Sequence, residues 1–272
     1  MKRIISMVLS LIIVISALGV VANADEILSK NQIRMGENII GTYSDDGKTL
    51  TVSGNGKMYQ IERESGGYVY REKLPYKVNK SVEKIIIDGN ITYISDYAFC
   101  ETNITEFSMP KSVKEIGAKT FADCEKLVKF DLGSNIEAIG YSAFNNCGIT
   151  EIKLPKSLNV FGYTCDDAQD FCFNEYGTFS NCKNLKTVVI FSSNLELNVG
   201  CYPLELMPFA NDTNLTIYYP KNSMTEEQLF LYDWSFSENC NFIAINDLIG
   251  DMNCDNNLTN MDLLLLKRYI LG

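Results

Sequence analysis

Five stretches of this chain repeat one phrase, an apolar residue followed at offsets three and five by two more. They are Val82-Ile85-Ile87, Ile104-Phe107-Met109, Leu127-Phe130-Leu132, Ile149-Ile152-Leu154 and Leu185-Val188-Ile190. Twelve residues after the start of each of the first four comes a further apolar side chain: Ile94, Ile116, Ile139 and Phe161. Gly117, Gly140 and Gly162 directly follow three of these. A small residue and a phenylalanine come next, at Ala98-Phe99, Thr120-Phe121, Ala143-Phe144 and Thr178-Phe179. Cys124, Cys147 and Cys182 each stand three residues beyond a phenylalanine. So many offsets held in register require successive copies to adopt one conformation and stack, because no copy alone can bury its apolar face.

The phrases begin at 82, 104, 127 and 149, spaced by 22, 23 and 22 residues, and the next intervals, to Leu185 and Leu215, stretch to 36 and 30. A period of this size with one short strand per turn predicts a leucine-rich-repeat solenoid: a parallel β-sheet with short helical or irregular returns. Period-2 geometry sends the third phrase position outward, and that column reads Lys84, Glu106, Lys129, Glu151 and Thr187. Strands about 4.8 Å apart would set these charges side by side. Near-neutral alternation favours a lateral ion-pair ladder over a charge-coded ligand surface. Cys124, Cys147 and Cys182 are expected to be buried, reduced thiols beside the phenylalanines. Thr49 to Ile61, with its Ser-Gly-Asn-Gly sequence, reads as a β-hairpin within an N-terminal cap over 25–81. Leu215–Tyr219 and Asn241–Ile245 read as closing strands around a helical Thr225–Phe236, so the repeats span 82–245.

These segments resemble the BspA-type leucine-rich repeats of bacterial surface and secreted proteins. The Ile-Gly-x-x-x-Phe-x-x-Cys stretches and the Pro-Lys-Ser-Val and Pro-Lys-Ser-Leu turns at Pro110 and Pro155 carry the resemblance. It implies an adhesion or protein-recognition module, with no shared catalytic residues.

Lys2 and Arg3, an apolar run from Ile4 to Val21, and Ala22-Asn23-Ala24 before Asp25 describe a signal peptide over 1–24. The expected mature protein is therefore exported, with no membrane attachment after cleavage. Cleavage would remove two of the 24 Lys+Arg and none of the 34 Asp+Glu, giving a net charge of 22 − 34 = −12. That charge repels phosphate backbones and argues against nucleic acid as a partner. The sequence holds no histidine, which removes Ser-His-Asp and Cys-His nucleophilic machinery and histidine-bearing metal sites.

An insertion at 163–178 lengthens the Gly162-to-Phe179 interval by thirteen residues relative to earlier copies. Its carboxylates Asp166, Asp167, Asp170 and Glu175 alternate with Tyr163, Phe171, Phe173 and Tyr176, and Cys165 and Cys172 could bridge across it. Such insertions often land on a binding face, so a ligand-binding knob is favoured over a metal site or an acid/base pair.

In the last segment, 246–272, oxygen-bearing side chains fall at positions 1, 3, 5, 9 and 12 counted from Asp251: Asp251, Asn253, Asp255, Thr259 and Asp262. Asn257 at position 7 would offer its backbone carbonyl. That register wraps one hard cation in an EF-hand-like loop followed by a helix, and all-oxygen ligands favour calcium. The segment resembles the first repeat of a type I dockerin, the module that plugs cellulosome components into the cohesin domains of a scaffoldin. The resemblance implies calcium on those six residues and cohesin-facing positions at Asn260, Met261, Lys267 and Arg268. Asn256 stands where the family has glycine, and dockerins carry two such repeats where one is present through Gly272. A truncated or degenerate dockerin is therefore expected. The helix that follows carries Leu263 to Leu266, Tyr269, Ile270 and Leu271, too apolar all round to stand alone in water.

Together these readings predict a non-enzymatic extracellular module that recognises an unknown protein or glycan and docks to a cellulosome-type complex. A carbohydrate-active enzyme of the same complex and a surface adhesin with a vestigial dockerin are the alternatives.

Overall fold

The computed structural model describes residues 28–61, 74–163, 177–197, 208–209, 212, 214–231 and 240–245. Most turns of the solenoid contribute two strands rather than one. The phrases form β5 (Glu106–Ser108), β7 (Lys129–Asp131), β9 (Glu151–Leu154), β11 (Thr187–Ile190), β13 (Thr216–Pro220) and β14 (Asn241–Ile245). The returns form β6 (Glu115–Ile116), β8 (Ala138–Gly140), β10 (Val160–Tyr163) and β12 (Glu196–Leu197). β5 pairs with β7, and β9, β11, β13 and β14 run side by side, all parallel. The return strands follow the end of β4 (Lys84–Ile94) in a second sheet, parallel in the order β4-β6-β8-β10-β12. The returns, expected to be helical or irregular, are irregular turns that each include one of these short strands. The apolar residue twelve positions on (Ile94, Ile116, Ile139, Phe161) is the inward residue of that second sheet and is buried.

A third side is made by stacked turns. The amides of Phe99, Phe121, Phe144 and Phe179 donate to the carbonyls of Thr120, Ala143, Thr178 and Pro208 in the next turn. Residues two before three of these phenylalanines, Tyr97, Lys119 and Ser142, and two after all four, Glu101, Asp123, Asn146 and Asn181, adopt left-handed backbone. Stacking hydrogen bonds hold these non-glycine residues in a conformation that costs an isolated one about 1 kcal/mol or more. The phenylalanines form a spine through the core: Phe99–Phe121, Phe121–Phe144, Phe144–Phe179 and Phe179–Phe209 have ring centroids 5.5, 5.4, 4.9 and 5.7 Å apart.

The N-terminal cap differs from the expected hairpin over 49–61. β1 (Gln32–Gly36), β2 (Ile39–Tyr43) and β3 (Thr49–Lys57) form an antiparallel meander, and Ser53-Gly54-Asn55-Gly56 lies inside β3. β3 satisfies its backbone on both edges, antiparallel to β2 and parallel to the eleven-residue β4 (Lys84–Ile94), and this outweighs the local turn signal. Gly54 permits the arrangement: its φ is +137°, and a Cβ there would lie 1.9 Å from the Asn38 carbonyl oxygen. At the far end, helix α1 (Met224–Leu231) links the closing strands β13 and β14, as the sequence led us to expect, with a shorter described span.

Close approach of neighbouring turns sets a further limit. A Cβ on Gly140 would sit 2.5 Å from the Ala118 amide nitrogen and 2.8 Å from the Gly117 carbonyl carbon. Gly140→Ala must therefore push two rungs apart. A loss of about 1–3 kcal/mol, the range for overpacking, is expected by denaturant titration. An unchanged midpoint would show that the rungs are not held at this spacing.

Candidate functional surface

The interior is filled by side chains from Met35 to Ile217, so chemistry with other molecules falls to the outer faces. On the phrase sheet the outward columns change character along the solenoid. Over β5, β7 and β9 they present Glu106, Ser108, Lys129, Asp131, Glu151 and Lys153, all exposed. Register sets Glu106 opposite Lys129 and Thr187 opposite Glu151, as the column predicts. The ion pairing is more local than a continuous ladder, since Glu151 meets Lys153 of its own strand at 3.2 Å. Lateral pairs form one residue before the strands, at Lys48–Glu83 (2.9 Å) and Lys114–Glu137. Each lysine is held above its ordinary range by hydrogen bonding to its glutamate.

From β11 onward the second outward column turns apolar, while the first stays polar at Thr187, Thr216 and Asn241. Val189 lies opposite Tyr218 and Tyr218 opposite Ile243, with Ile245 in the following row and Phe191 packed against the cluster.

The cysteines expected to be core thiols are buried and unbridged. Each Sγ donates to the phenylalanine carbonyl of the preceding turn: Cys124 to Phe99 at 3.2 Å, Cys147 to Phe121 at 3.1 Å and Cys182 to Phe144 at 3.1 Å. Thr102 occupies the same column one turn earlier and donates its hydroxyl to Phe99 at 2.8 Å. Burial pushes Cys124 up to about 11 and raises Cys147 and Cys182 as well. With the thiolate suppressed, these are structural groups rather than nucleophiles.

The sequence reading overlooked the end of this column. Phe209 extends the spine, and three residues on, where the thiol belongs, stands Asp212, fully buried, with no close hydrogen-bond partner for either carboxyl oxygen among the described residues. Burial pushes its carboxyl up to about 8, only partly offset by the Cys182 backbone and the Lys186 charge. The signal was visible: Phe209-Ala-Asn-Asp212 matches Phe121-Ala-Asp-Cys124.

Of the proposed insertion residues, Tyr163 ends β10, while Asp166, Asp167, Asp170, Phe171, Phe173 and Tyr176 lie outside the described residues. So do the signal segment 1–24, Cys165 and Cys172. The calcium set (Asp251, Asn253, Asp255, Asn257, Thr259, Asp262) and the cohesin-facing set (Asn260, Met261, Lys267, Arg268) lie outside them too. Among the described residues no group of three or more acidic or cysteine side chains is placed to hold a metal ion, and no helix is long and apolar enough to cross a membrane.

Residues 76–170 match the model of the BspA type leucine rich repeat region, in six copies. No curated protein matches the chain. Similar solved structures include a leucine-rich repeat protein from Eubacterium ventriosum ATCC 27560, at 17% identity and TM-score 0.46, covering 79% of this chain and 73% of that one. A leucine-rich repeat protein of T. pallidum aligns at 16% identity and TM-score 0.39, covering 82% and 83%. A leucine-rich cell surface protein from Faecalibacterium prausnitzii A2-165 aligns at 14% identity and TM-score 0.28, covering 86% and 100%. Residues 76–170 thus match a BspA type leucine rich repeat region, and the stacked, mostly parallel rungs form a leucine-rich-repeat-type fold.

Proposed function

We propose that this chain is an extracellular, non-catalytic binding module whose outer solenoid surface recognises a protein or glycan and whose C-terminal segment binds calcium and docks to a scaffoldin cohesin. One observation carries the recognition half: the interior is filled by the phenylalanine spine and its apolar neighbours, leaving the exposed polar outer face over β5, β7 and β9 as the available surface. The N-terminal segment 1–24 supports export. The oxygen register from Asp251 to Asp262 supports calcium, supplied by five side chains and the Asn257 carbonyl.

Calorimetry on the 272-residue product tests the docking half. One calcium per chain is expected, with cohesin binding that disappears on chelation and in Asp255→Ala or Asp262→Ala. Saturating calcium without heat from any cohesin would remove the docking reading. A polysaccharide screen tests the recognition half against catalysis. Turnover that Asp166→Asn, Asp167→Asn or Glu175→Gln abolishes would make the insertion an active site and the chain an enzyme.

A further inference from the structure

The polar outer face over β5, β7 and β9, extended by the start of β4, has a charge order that reads the same backwards with every sign reversed. Its first outward column runs Lys84, Glu106, Lys129 and Glu151, all exposed, on four rungs packed side by side. Register sets Glu106 opposite Lys129, yet among the described residues these two side chains form no ion pair, and Lys84 forms none either. The second column adds Ile86, Ser108, Asp131 and Lys153. Charge on the face cancels, since Lys84, Lys129 and Lys153 balance Glu106, Asp131 and Glu151, 3 − 3 = 0. The whole chain has a net charge of −10, so this is a patch where an equally acidic molecule can approach without local net repulsion. A partner of uniform sign, such as an anionic glycan, would meet as many like charges as opposite ones.

We infer that the partner of this face is a second copy of the chain, docked face to face about a two-fold axis running along the strands between β5 and β7, given that this face is the recognition surface proposed above. Rotation about such an axis keeps each residue's place along the strand and reverses the order of the rungs. The contact is then isologous, residue i meeting j and j meeting i. Glu106 faces the second copy's Lys129, Lys84 faces its Glu151, and the reverse of each holds, so every charge in the first column meets its opposite. An axis through β5 or β7 would instead set like charges opposite, Lys84 against Lys129 or Glu106 against Glu151, which fixes the register.

The remaining side chains fit the same rotation. Ser108 meets Asp131, whose carboxylate accepts from the Gly133 amide at 2.9 Å and keeps lone pairs for a hydroxyl. Ile86 meets the alkyl stem of Lys153. Val128, which directly precedes Lys129, comes against Thr105, exposed on the neighbouring rung. Ile86 and Val128 are 39% and 42% exposed, so the pairing also removes apolar surface from water.

Sedimentation velocity on the full chain over a range of concentrations tests it. Exposed ion pairs are individually weak and screened by salt. A reversible dimer is therefore expected, its dissociation constant at least about tenfold higher at about 0.5 M salt than at about 0.05 M. Glu106→Lys and Lys129→Glu should each weaken it at least about tenfold, because each sets like charges against one another twice per dimer. Circular dichroism should show both variants folded, as both positions are exposed. An equimolar mixture of the two should associate again, since one copy then carries two positive and the other two negative side chains at those positions. A chain that stays monomeric, a dimer that neither variant weakens, or a mixture that fails to associate would overturn the inference. A monomeric chain that binds another protein or a glycan, and loses it in Glu106→Lys, would overturn the self-pairing and keep recognition by this face. A dimer and a ligand that are both indifferent to the two variants would remove both.

Discussion

Phe144→Ala is expected to cost about 3–5 kcal/mol, the range for truncating a buried phenylalanine. Phe144 is fully buried at the midpoint of the spine, with ring centroids 5.4 Å from Phe121, 4.9 Å from Phe179 and 4.6 Å from Phe130. The first two rings lie nearly parallel to it, at 9° and 6°, and the third meets it edge-on at 73°. In a solenoid each turn is stabilised chiefly by its neighbours, so the loss falls on the two interfaces between three turns. Denaturant titration should therefore show a lowered midpoint and a broadened or two-step transition as the halves begin to unfold separately. Phe144→Leu should lose less and keep a single transition. A loss below about 1 kcal/mol for the alanine variant would mean that the spine does not couple the rungs.

The second large effect belongs to Asp212 and depends on pH. Its folded carboxyl titrates near 8 against an ordinary 3.8, because burial disfavours the charged form. Its contribution to stability is fully present below pH 3.8 and is lost as pH rises through 8, since across that window the folded state holds a proton that the unfolded state has released. The slope approaches about 1.4 kcal/mol per pH unit within the window. Asp212→Asn should flatten it. Asp212→Cys should also raise the midpoint at pH 8, by placing a thiol where each preceding turn donates one to a phenylalanine carbonyl. The measurement is the difference in unfolding free energy between variant and unaltered chain from pH 4.5 to 8.5. A pH-independent difference would show that Asp212 is ionised and solvated in the folded protein.

Buried carboxylic acid in place of thiol marks the last full turn of the column, beside the closing strands. The same end of the molecule carries the apolar outer face, so the C-terminal rungs depart from the repeat on both sides of the wall. Neither departure reaches the inward columns of the phrase sheet, where Val188, Ile190, Ile217 and Tyr219 remain core residues.

The spacing of Ile104, Leu127 and Ile149 sufficed to define parallel rungs, because a repeat that keeps its apolar offsets can bury them only by stacking in register. The buried thiols at Cys124, Cys147 and Cys182 and the closing strands around a helix were legible for the same reason. The second sheet was not, since Glu115–Ile116 and Ala138–Gly140 are too short to show a period of two, and they become strands only through the neighbours they pair with. Ser53–Gly56 misled for the converse reason: its turn signal is local, while β2 and β4 satisfy its backbone from both sides. The burial of Val189 and Tyr218 also required tertiary structure. Alternation along a strand tells which face a side chain is on, and only the assembled molecule tells what lies over that face.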